Sequence, residues 1–285
     1  FTHLVMFWSV ARDDPELRQQ LLKFTPSVLV GTGMLLIASQ LDGTAQISFW
    51  ALAFAGDYLG TMLGGAAGWR LRSAGHFAER HGLIIIIALG ESIVSIGIGV
   101  TDLPISWPIV VASALGLAVS GCLWWAYFDI QAIACERALA ELAGEPQARL
   151  ARDAYSYLHL PMAAGIVLLS LGLKKVLNYV GDTEHHTLTD ALYGIPLAAL
   201  YGGVALFLLA NVGLKLRALR SLGILRLAVA VLLLVAIPVA ALLPALVSLA
   251  ALTAILVAMI GIETRHYAQV RERLRHGGHE ASAGH

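Results

Sequence analysis

Long apolar blocks are the feature of this sequence that most limits what it can fold into. Each complete block spans roughly 15–22 residues, and an α-helix needs about 20 apolar residues to cross a lipid bilayer. The blocks are continuous and lack the alternation of apolar and polar residues that membrane β-strands require. We therefore predict nine helical blocks, at residues 1–10, 26–41, 46–67, 82–101, 107–128, 155–177, 191–214, 223–243 and 245–264.

The composition also indicates a membrane protein. Of the 285 residues, 58% are hydrophobic and 13% are charged, against about 45–50% and about 25% in a soluble domain. The predicted fold class is all-α, a polytopic transmembrane helical bundle of about eight complete helices plus one truncated helix. The expected partner is the lipid bilayer, and the formal net charge of zero gives no reason to expect nucleic acid.

The block order predicts two segments. Residues 1–264 are expected to form the helical bundle, and the polar residues 265–285 a disordered cytoplasmic tail. Residues 1–10 resemble the end of a hydrophobic helix and lack the charged n-region of a signal peptide. We therefore expect the chain to be the C-terminal part of a longer protein.

Lysine and arginine residues alternate between the two sides of the predicted helices. They follow the first, third, fifth, seventh and ninth blocks, and of the 19 only Lys174 and Lys175 depart from this alternation. Basic residues favour the cytoplasmic side of a membrane. This pattern predicts a cytoplasmic C-terminus and an external loop at residues 181–190.

Two carboxylates, Asp57 and Glu91, lie midway along the third and fourth blocks. A charged side chain at the bilayer centre costs roughly 2.5–3.5 kcal/mol on insertion scales. Such a residue either pins helices together or lines a path for ions or protons, and both alternatives stay open for these two. The predicted orientation puts them at a similar depth, where they can face one cavity.

The helix around Glu91 favours a path. Arg80, Ile84, Ala88 and Glu91 share one face at helical spacing, and Ser95 extends that face by one turn. A cation at the cytoplasmic mouth, an acid at mid-depth and a hydroxyl beyond it are typical of the lining of an ion or proton path.

Titratable residues also cluster at the cytoplasmic boundary. Glu79, Arg80 and His81 open the helix of the fourth block, where a carboxylate complements the helix dipole and an arginine snorkels to the headgroups. Tyr155 and His159 share a face at the start of the sixth block. Tyrosine is common at this level of a membrane, whereas His159 is a candidate for proton exchange.

The sequence lacks the common signatures of catalysis. It contains no Gly-x-Ser-x-Gly, no His-Glu-x-x-His, no phosphate-binding loop and no dinucleotide fingerprint. Cys122 and Cys135 have no paired spacing. We therefore predict no metal, cofactor or catalytic residue, and an enzyme is less expected than a transporter.

Four stretches resemble one known family. The most specific is His76–Val94, with its Glu-Arg-His-Gly and Leu-Gly-Glu elements. Asp14–Arg18, Tyr155–Pro161 and, in the seventh block, Leu192–Gly194 with Tyr201–Leu206 agree with it. On these residues nearly the whole chain resembles the bacterial low temperature requirement A (LtrA) family, although the family's opening helix is missing. The resemblance implies a bacterial plasma-membrane protein of about twelve helices in two six-helix repeats. Parallel repeats around a midplane site are a transporter plan.

The leading functional prediction is a secondary transporter or channel-like permease for an ion, a proton or a small solute. One alternative is an intramembrane lipid-modifying enzyme that uses Glu79, His81 and His159 at the headgroup level, and another is a membrane sensor or scaffold. A polar cavity that reaches Glu91 favours transport, and a shallow cleft at the headgroups favours lipid chemistry. Acids that are satisfied by neighbouring helices favour a scaffold.

Overall fold

The computed structural model describes residues 5–6, 8–9, 11–13, 15–66, 69–101 and 103–268. Within these residues the chain forms ten α-helices and no β-strand, which confirms the all-α fold class. The described part also contains a 3₁₀ turn at Ala11–Asp13 and a π-helix at Ala151–Ser156, and residues 5–6 and 8–9 are helical. The helices are α1 Pro15–Ala38, α2 Gly43–Gly64, α3 Ala74–Gly99, α4 Trp107–Phe128, α5 Gln131–Ala140, α6 Gly144–Leu150, α7 Tyr157–Gly181, α8 Gly194–Leu219, α9 Ile224–Ala240 and α10 Ala245–His266.

Six helical segments of the described chain are long and apolar enough to cross a membrane. Two further helices match predicted blocks: α2, in which Gln46 and Asp57 interrupt the apolar run, and α9, which is apolar but has 17 residues. Each of the eight complete blocks therefore corresponds to a helix, and the protein is a multi-pass membrane protein. The six segments are Leu17–Ala38, Ala74–Gly99, Trp107–Ala140, Gly144–Gly181, Gly194–Leu219 and Ala245–His266.

Several helices extend beyond their apolar blocks. The predicted starts at residues 26 and 82 are wrong, because α1 begins at Pro15 and α3 at Ala74. A run of apolar residues indicates only the part of a helix that lies in lipid, so it does not predict polar turns that precede this part. The polar stretch between the fifth and sixth predicted blocks contains two short helices, α5 and α6.

The chain divides into two compact units, the first of which comprises Phe1–Ser73 and Ala140–Arg152. Its main contact joins α1 to α2. There, a Cβ added to Gly60 would lie 2.5 Å from Cβ of Ser27, so the glycine is what lets the two backbones come so close.

The second unit comprises Ala74–Leu139 and Asp153–His285. It contains α3, α4, most of α5 and α7 to α10, and its most extensive contact joins the antiparallel helices α7 and α8. Helix α7 also packs on α3, and α10 packs on α4. The prediction of a single bundle over residues 1–264 stays a prediction, and residues 269–285 of the predicted tail, like most of the first block, lie outside the described residues.

Two connections between helices, which the charge pattern predicts on the same side of the membrane, lie together at one end of the second unit. The connection between α7 and α8 meets the turn between α9 and α10 through a bridge of Ala191 with Pro244. The backbone N–H of Ala245 also donates to the carbonyl of Asp190 at 2.9 Å. Both connections lack lysine and arginine, so their contact agrees with the predicted alternation.

Candidate functional site

Glu91 lies on the exposed face of α3. Its neighbour Ser92 points inward, where its Oγ lies 2.8 Å from Oγ of buried Ser170 on α7, and this contact sets the rotation of the helix. Among the described residues, Glu91 receives one hydrogen bond, from Ser95 Oγ one turn along at 3.5 Å. The acid is therefore not held by another helix of the second unit.

The residues predicted to share one face of α3 differ in their exposure. Arg80, Ile84 and Glu91 are exposed, whereas Ala88 is buried. A helix turns by about 100° per residue, so residues three and four apart drift around the axis. Ala88 therefore belongs to the inner face with Ile85.

Asp57 lies on α2 in the first unit and is also exposed. Its Oδ1 accepts a hydrogen bond from Ser27 Oγ on α1 at 3.3 Å. This bond links two helices, as the helix-pinning alternative requires. Because Asp57 and Glu91 belong to different units, a cavity shared by them stays a prediction.

His159 lies inside the second unit, with 2% of its surface exposed. Its Nδ1 lies 2.8 Å from the carbonyl oxygen of Tyr155, and its Nε2 lies 2.6 Å from the hydroxyl of buried Tyr127 on α4. A carbonyl oxygen only accepts, so in the neutral ring Nδ1 carries the proton and donates it. Nε2 consequently accepts from the Tyr127 hydroxyl, and the ring is held at both nitrogens.

His81 on α3 packs against His159, with ring centroids 5.0 Å apart. Its Nδ1 donates to the carbonyl oxygen of Phe77 at 2.9 Å. The ring of Tyr155 stacks on His159 at 5.3 Å, as expected for residues four apart, and meets His81 edge-on at 5.5 Å. The structure thus brings together three predicted residues, His81, Tyr155 and His159, and adds Tyr127.

Tyr155 contributes a buried hydroxyl to this histidine–tyrosine cluster. The residue is 1% exposed, and its hydroxyl has no hydrogen-bond partner among the described residues. It lies in the π-helix that precedes α7, and π-helical turns often occur at functional sites. A buried hydroxyl without a partner costs free energy, so its position here needs a reason.

Glu79 and Arg80 are exposed on the first turns of α3. Arg80 Nε donates to His76 Nε2 at 3.0 Å, and His76 Nδ1 lies 3.7 Å from Glu79 Oε2. Side chains two residues apart on a helix do not face each other. Glu79 therefore points away from His81 and does not join the histidine–tyrosine cluster.

The sequence analysis missed a polar network between the ends of four helices. Arg226 on α9 binds Glu263 on α10 through two hydrogen bonds, of 2.7 and 2.8 Å, and both side chains are nearly buried. Arg226 also donates to Gln131 Oε1 at 2.6 Å and to Asn211 Oδ1 on α8. The available signals were a lone asparagine in the seventh block and a glutamate at the end of the ninth.

Within the described part of the chain, no group of three or more histidine, cysteine, aspartate or glutamate residues is arranged to hold a metal ion. The histidine–tyrosine cluster has two imidazoles and two phenols, which suit proton exchange better than metal binding.

The fold and these sites define the class: a multi-pass α-helical membrane protein with polar clusters inside its second helical unit. The profile of the family described as bacterial low temperature requirement A protein (LtrA) matches residues 1–261. The chain therefore belongs to the LtrA family, which confirms the resemblance inferred from its motifs.

One curated relative is an uncharacterized protein of Rhizobium meliloti (strain 1021). It is 26% identical over 227 residues, which cover 74% of this chain and 51% of the relative. The chain thus spans about half the length of the curated relative that it matches. No solved structure matches the chain.

Proposed function

We propose that this LtrA family member is a transporter or channel-like permease that moves protons, alone or together with an ion or small solute. The observation that carries the proposal is the contact between His81 and His159 inside an apolar helical unit. Ionisable residues within membrane segments are costly, and they commonly mark proton relays and ion pathways. Histidine is suited to this role because its proton exchanges near neutral pH.

The hydrogen bonds assign a role to each ring nitrogen. In both histidines Nδ1 donates to a backbone carbonyl, of Phe77 or of Tyr155, so Nε2 is the atom left to take up or release a proton. At His159 this Nε2 accepts from Tyr127. A hydroxyl both donates and accepts, so Tyr127 can pass a proton by turning its O–H bond.

The remaining predicted residues extend this proposed path. Glu91, exposed on α3 and bonded to Ser95, is the acid at mid-depth, and Arg80 lies on the first turns of the same helix. An acid that no helix of the second unit neutralises suits a water-accessible path, because burial in lipid would cost roughly 2.5–3.5 kcal/mol. Asp57, bonded to Ser27, is the weaker candidate.

The lipid-modifying alternative receives less support. It needs Glu79 to act with His81 and His159, but Glu79 is exposed and two residues from His81, on another side of α3. The scaffold alternative fits Asp57, whose carboxylate bonds to a neighbouring helix, better than it fits Glu91.

Proton flux into proteoliposomes that contain the complete protein tests the proposal. We expect His159→Gln to abolish flux under an imposed pH gradient, because glutamine cannot exchange the proton. His185→Gln is the matched control, since His185 is an exposed histidine of the connection between α7 and α8. Flux that persists unchanged in His159→Gln would overturn the proposal.

Glu91 is tested separately in the same assay. We expect Glu91→Gln to abolish flux while the protein still folds and elutes as the wild type does. Glu145→Gln, which changes an exposed glutamate of the first unit, is the control. Unchanged flux in Glu91→Gln would remove this residue from the path and leave the histidine proposal to its own test.

A further inference from the structure

A cavity of about 300 Å³ lies in the second unit, next to the network of Arg226. Apolar side chains form much of its wall, including those of Trp125, Ile130 and Leu219. Lys215, Asp129 and Tyr267 bring polar groups to the same cavity. It is separate from the histidine–tyrosine cluster, since none of its lining residues belongs to that cluster.

The ends of the surrounding helices give the depth of the cavity. Helices α4, α8 and α10 end at Phe128, Leu219 and His266, and α9 begins at Ile224. Lining residues come from each of these four ends. Apolar runs end where the hydrocarbon of the bilayer ends. At these four helix ends the runs are interrupted by charged lining residues, namely Asp129, Lys215, Arg226 and Glu263. We therefore expect the cavity at the level of the lipid headgroups.

Lys215 brings a positive charge that the described residues do not neutralise by an ion pair. Its Nζ donates to the Tyr267 hydroxyl at 3.3 Å and lies 5.0 Å from the centre of that ring. An ammonium group has three N–H donors, so a phenol leaves further donors for a ligand. Arg226 differs, because its charge is matched by Glu263 in a two-bond pair.

Asp129 brings a carboxylate to the same cavity at the end of α4. A carboxylate has about four acceptor positions, so existing contacts leave room for another donor. Besides the pair of Arg226 and Glu263, the charged groups of the lining are the ammonium of Lys215 and the carboxylate of Asp129. A ligand that complements this lining carries both charges and an apolar part.

We propose that the cavity binds the headgroup of an amine-bearing zwitterionic phospholipid, of the ethanolamine class. Lys215 contacts the phosphate, Asp129 contacts the ammonium, and Trp125 and Leu219 pack against the glycerol and the first acyl carbons. Basic pockets between membrane helices are known to hold phosphate headgroups. The carboxylate in this one favours the zwitterionic headgroup over a purely anionic one.

Native mass spectrometry of the complete protein in detergent tests this inference. The probes are phosphatidylethanolamine, phosphatidylglycerol and phosphatidylcholine with identical acyl chains. We expect the ethanolamine lipid to be retained best, and Lys215→Gln to weaken its binding about tenfold, since a charge-assisted hydrogen bond is lost. Lys175→Gln, an exposed lysine near the far end of α7, should bind as the wild type does.

Two further variants distinguish a direct role from a folding effect. Lys215→Arg keeps the positive charge and should retain the lipid, and Asp129→Asn should remove the preference for ethanolamine over choline. Equal retention by the wild type and Lys215→Gln overturns the inference, as does a preference for phosphatidylglycerol. Displacement of the lipid by millimolar inorganic phosphate alone would show that the cavity takes free phosphate, and also overturns it.

Discussion

Gly165 on α7 and Gly203 on α8 approach each other through their backbones. A Cβ on Gly165 would lie 2.5 Å from the carbonyl oxygen of Gly203, and a Cβ on Gly203 would lie 2.6 Å from that of Gly165. Gly172 extends the same contact, because its Cβ would lie 2.7 Å from Cα of Leu200. In a membrane, such small residues are what allow close packing of helices.

The first prediction follows from this contact. Gly165→Ala should destabilise the protein by about 1–3 kcal/mol, because the added methyl group meets backbone that cannot move aside locally. Thermal unfolding in detergent is the measurement. Gly202→Ala is the control, since no atom lies within 4 Å of the Cβ it would add. Equal melting temperatures for the two variants would contradict the geometry.

The second prediction concerns the pair of Arg226 and Glu263. Glu263→Gln leaves a nearly buried guanidinium without its carboxylate, which should cost about 3–5 kcal/mol. The control is Glu145→Gln, which removes the same charge from an exposed pair with Arg149 that also has a 2.7 Å bond. An exposed pair is worth about 0–1 kcal/mol. Similar losses of thermal stability in both variants would rule out a special role for the network.

The third prediction concerns the tautomer of His159. We expect the neutral ring to carry its proton on Nδ1, since that atom faces the Tyr155 carbonyl oxygen. Nitrogen NMR of histidine-labelled protein distinguishes the two tautomers. Tyr127→Phe should shift the Nε2 signal by removing its donor and leave the Nδ1 signal of His81 in place. A proton found on Nε2 would reverse the assigned roles of the two nitrogens.

The fourth prediction concerns the connection between α7 and α8. The pKa of Asp182 lies below its usual range, and the largest cause is a hydrogen bond from the His185 ring to the carboxylate. The backbone N–H groups of His185 and Glu184 donate further bonds that lower the pKa by less. Because the pKa is lower in the folded chain than in the unfolded chain, these bonds stabilise the fold at pH values above the usual carboxyl pKa. This stabilisation is lost as the pH falls through the lowered pKa.

His185→Ala removes the largest of these causes and should raise the pKa of Asp182 towards its usual value. Carbon NMR of the carboxyl groups measures the change. Asp190 is an internal control, because its pKa is lowered first by the Thr187 hydroxyl. An unchanged titration of Asp182 would show that the backbone donors alone are sufficient.

The sequence predicted the existence of the helices well, because the need for about 20 apolar residues in a bilayer leaves a direct signal. The start of α3 was placed too late, since His76 and Arg80 are polar and lie outside that signal. The proximity of Tyr155 and His159 could be predicted from the sequence, because residues four apart on a helix share a face.

Contacts between helices that are far apart in the sequence could not be predicted from residue spacing. Tyr127 is 32 residues from His159, and Gln131 is 95 residues from Arg226, so no spacing rule connects them. The outward direction of Glu91 depends on the contact of Ser92 with Ser170, which is set by the packing of α3 on α7. Single-helix periodicity cannot supply that information.

The glycine contact between α7 and α8 also has a consequence for the entropy of assembly. Ordering a leucine or methionine side chain at an interface removes rotamer freedom, whereas glycine has no side chain to order. At Gly165 and Gly203 the touching groups are backbone atoms already fixed within each helix. The two helices therefore meet there with little further loss of conformational freedom. We expect warming to weaken this part of their contact less than it weakens an interface of the same area that is formed by long side chains.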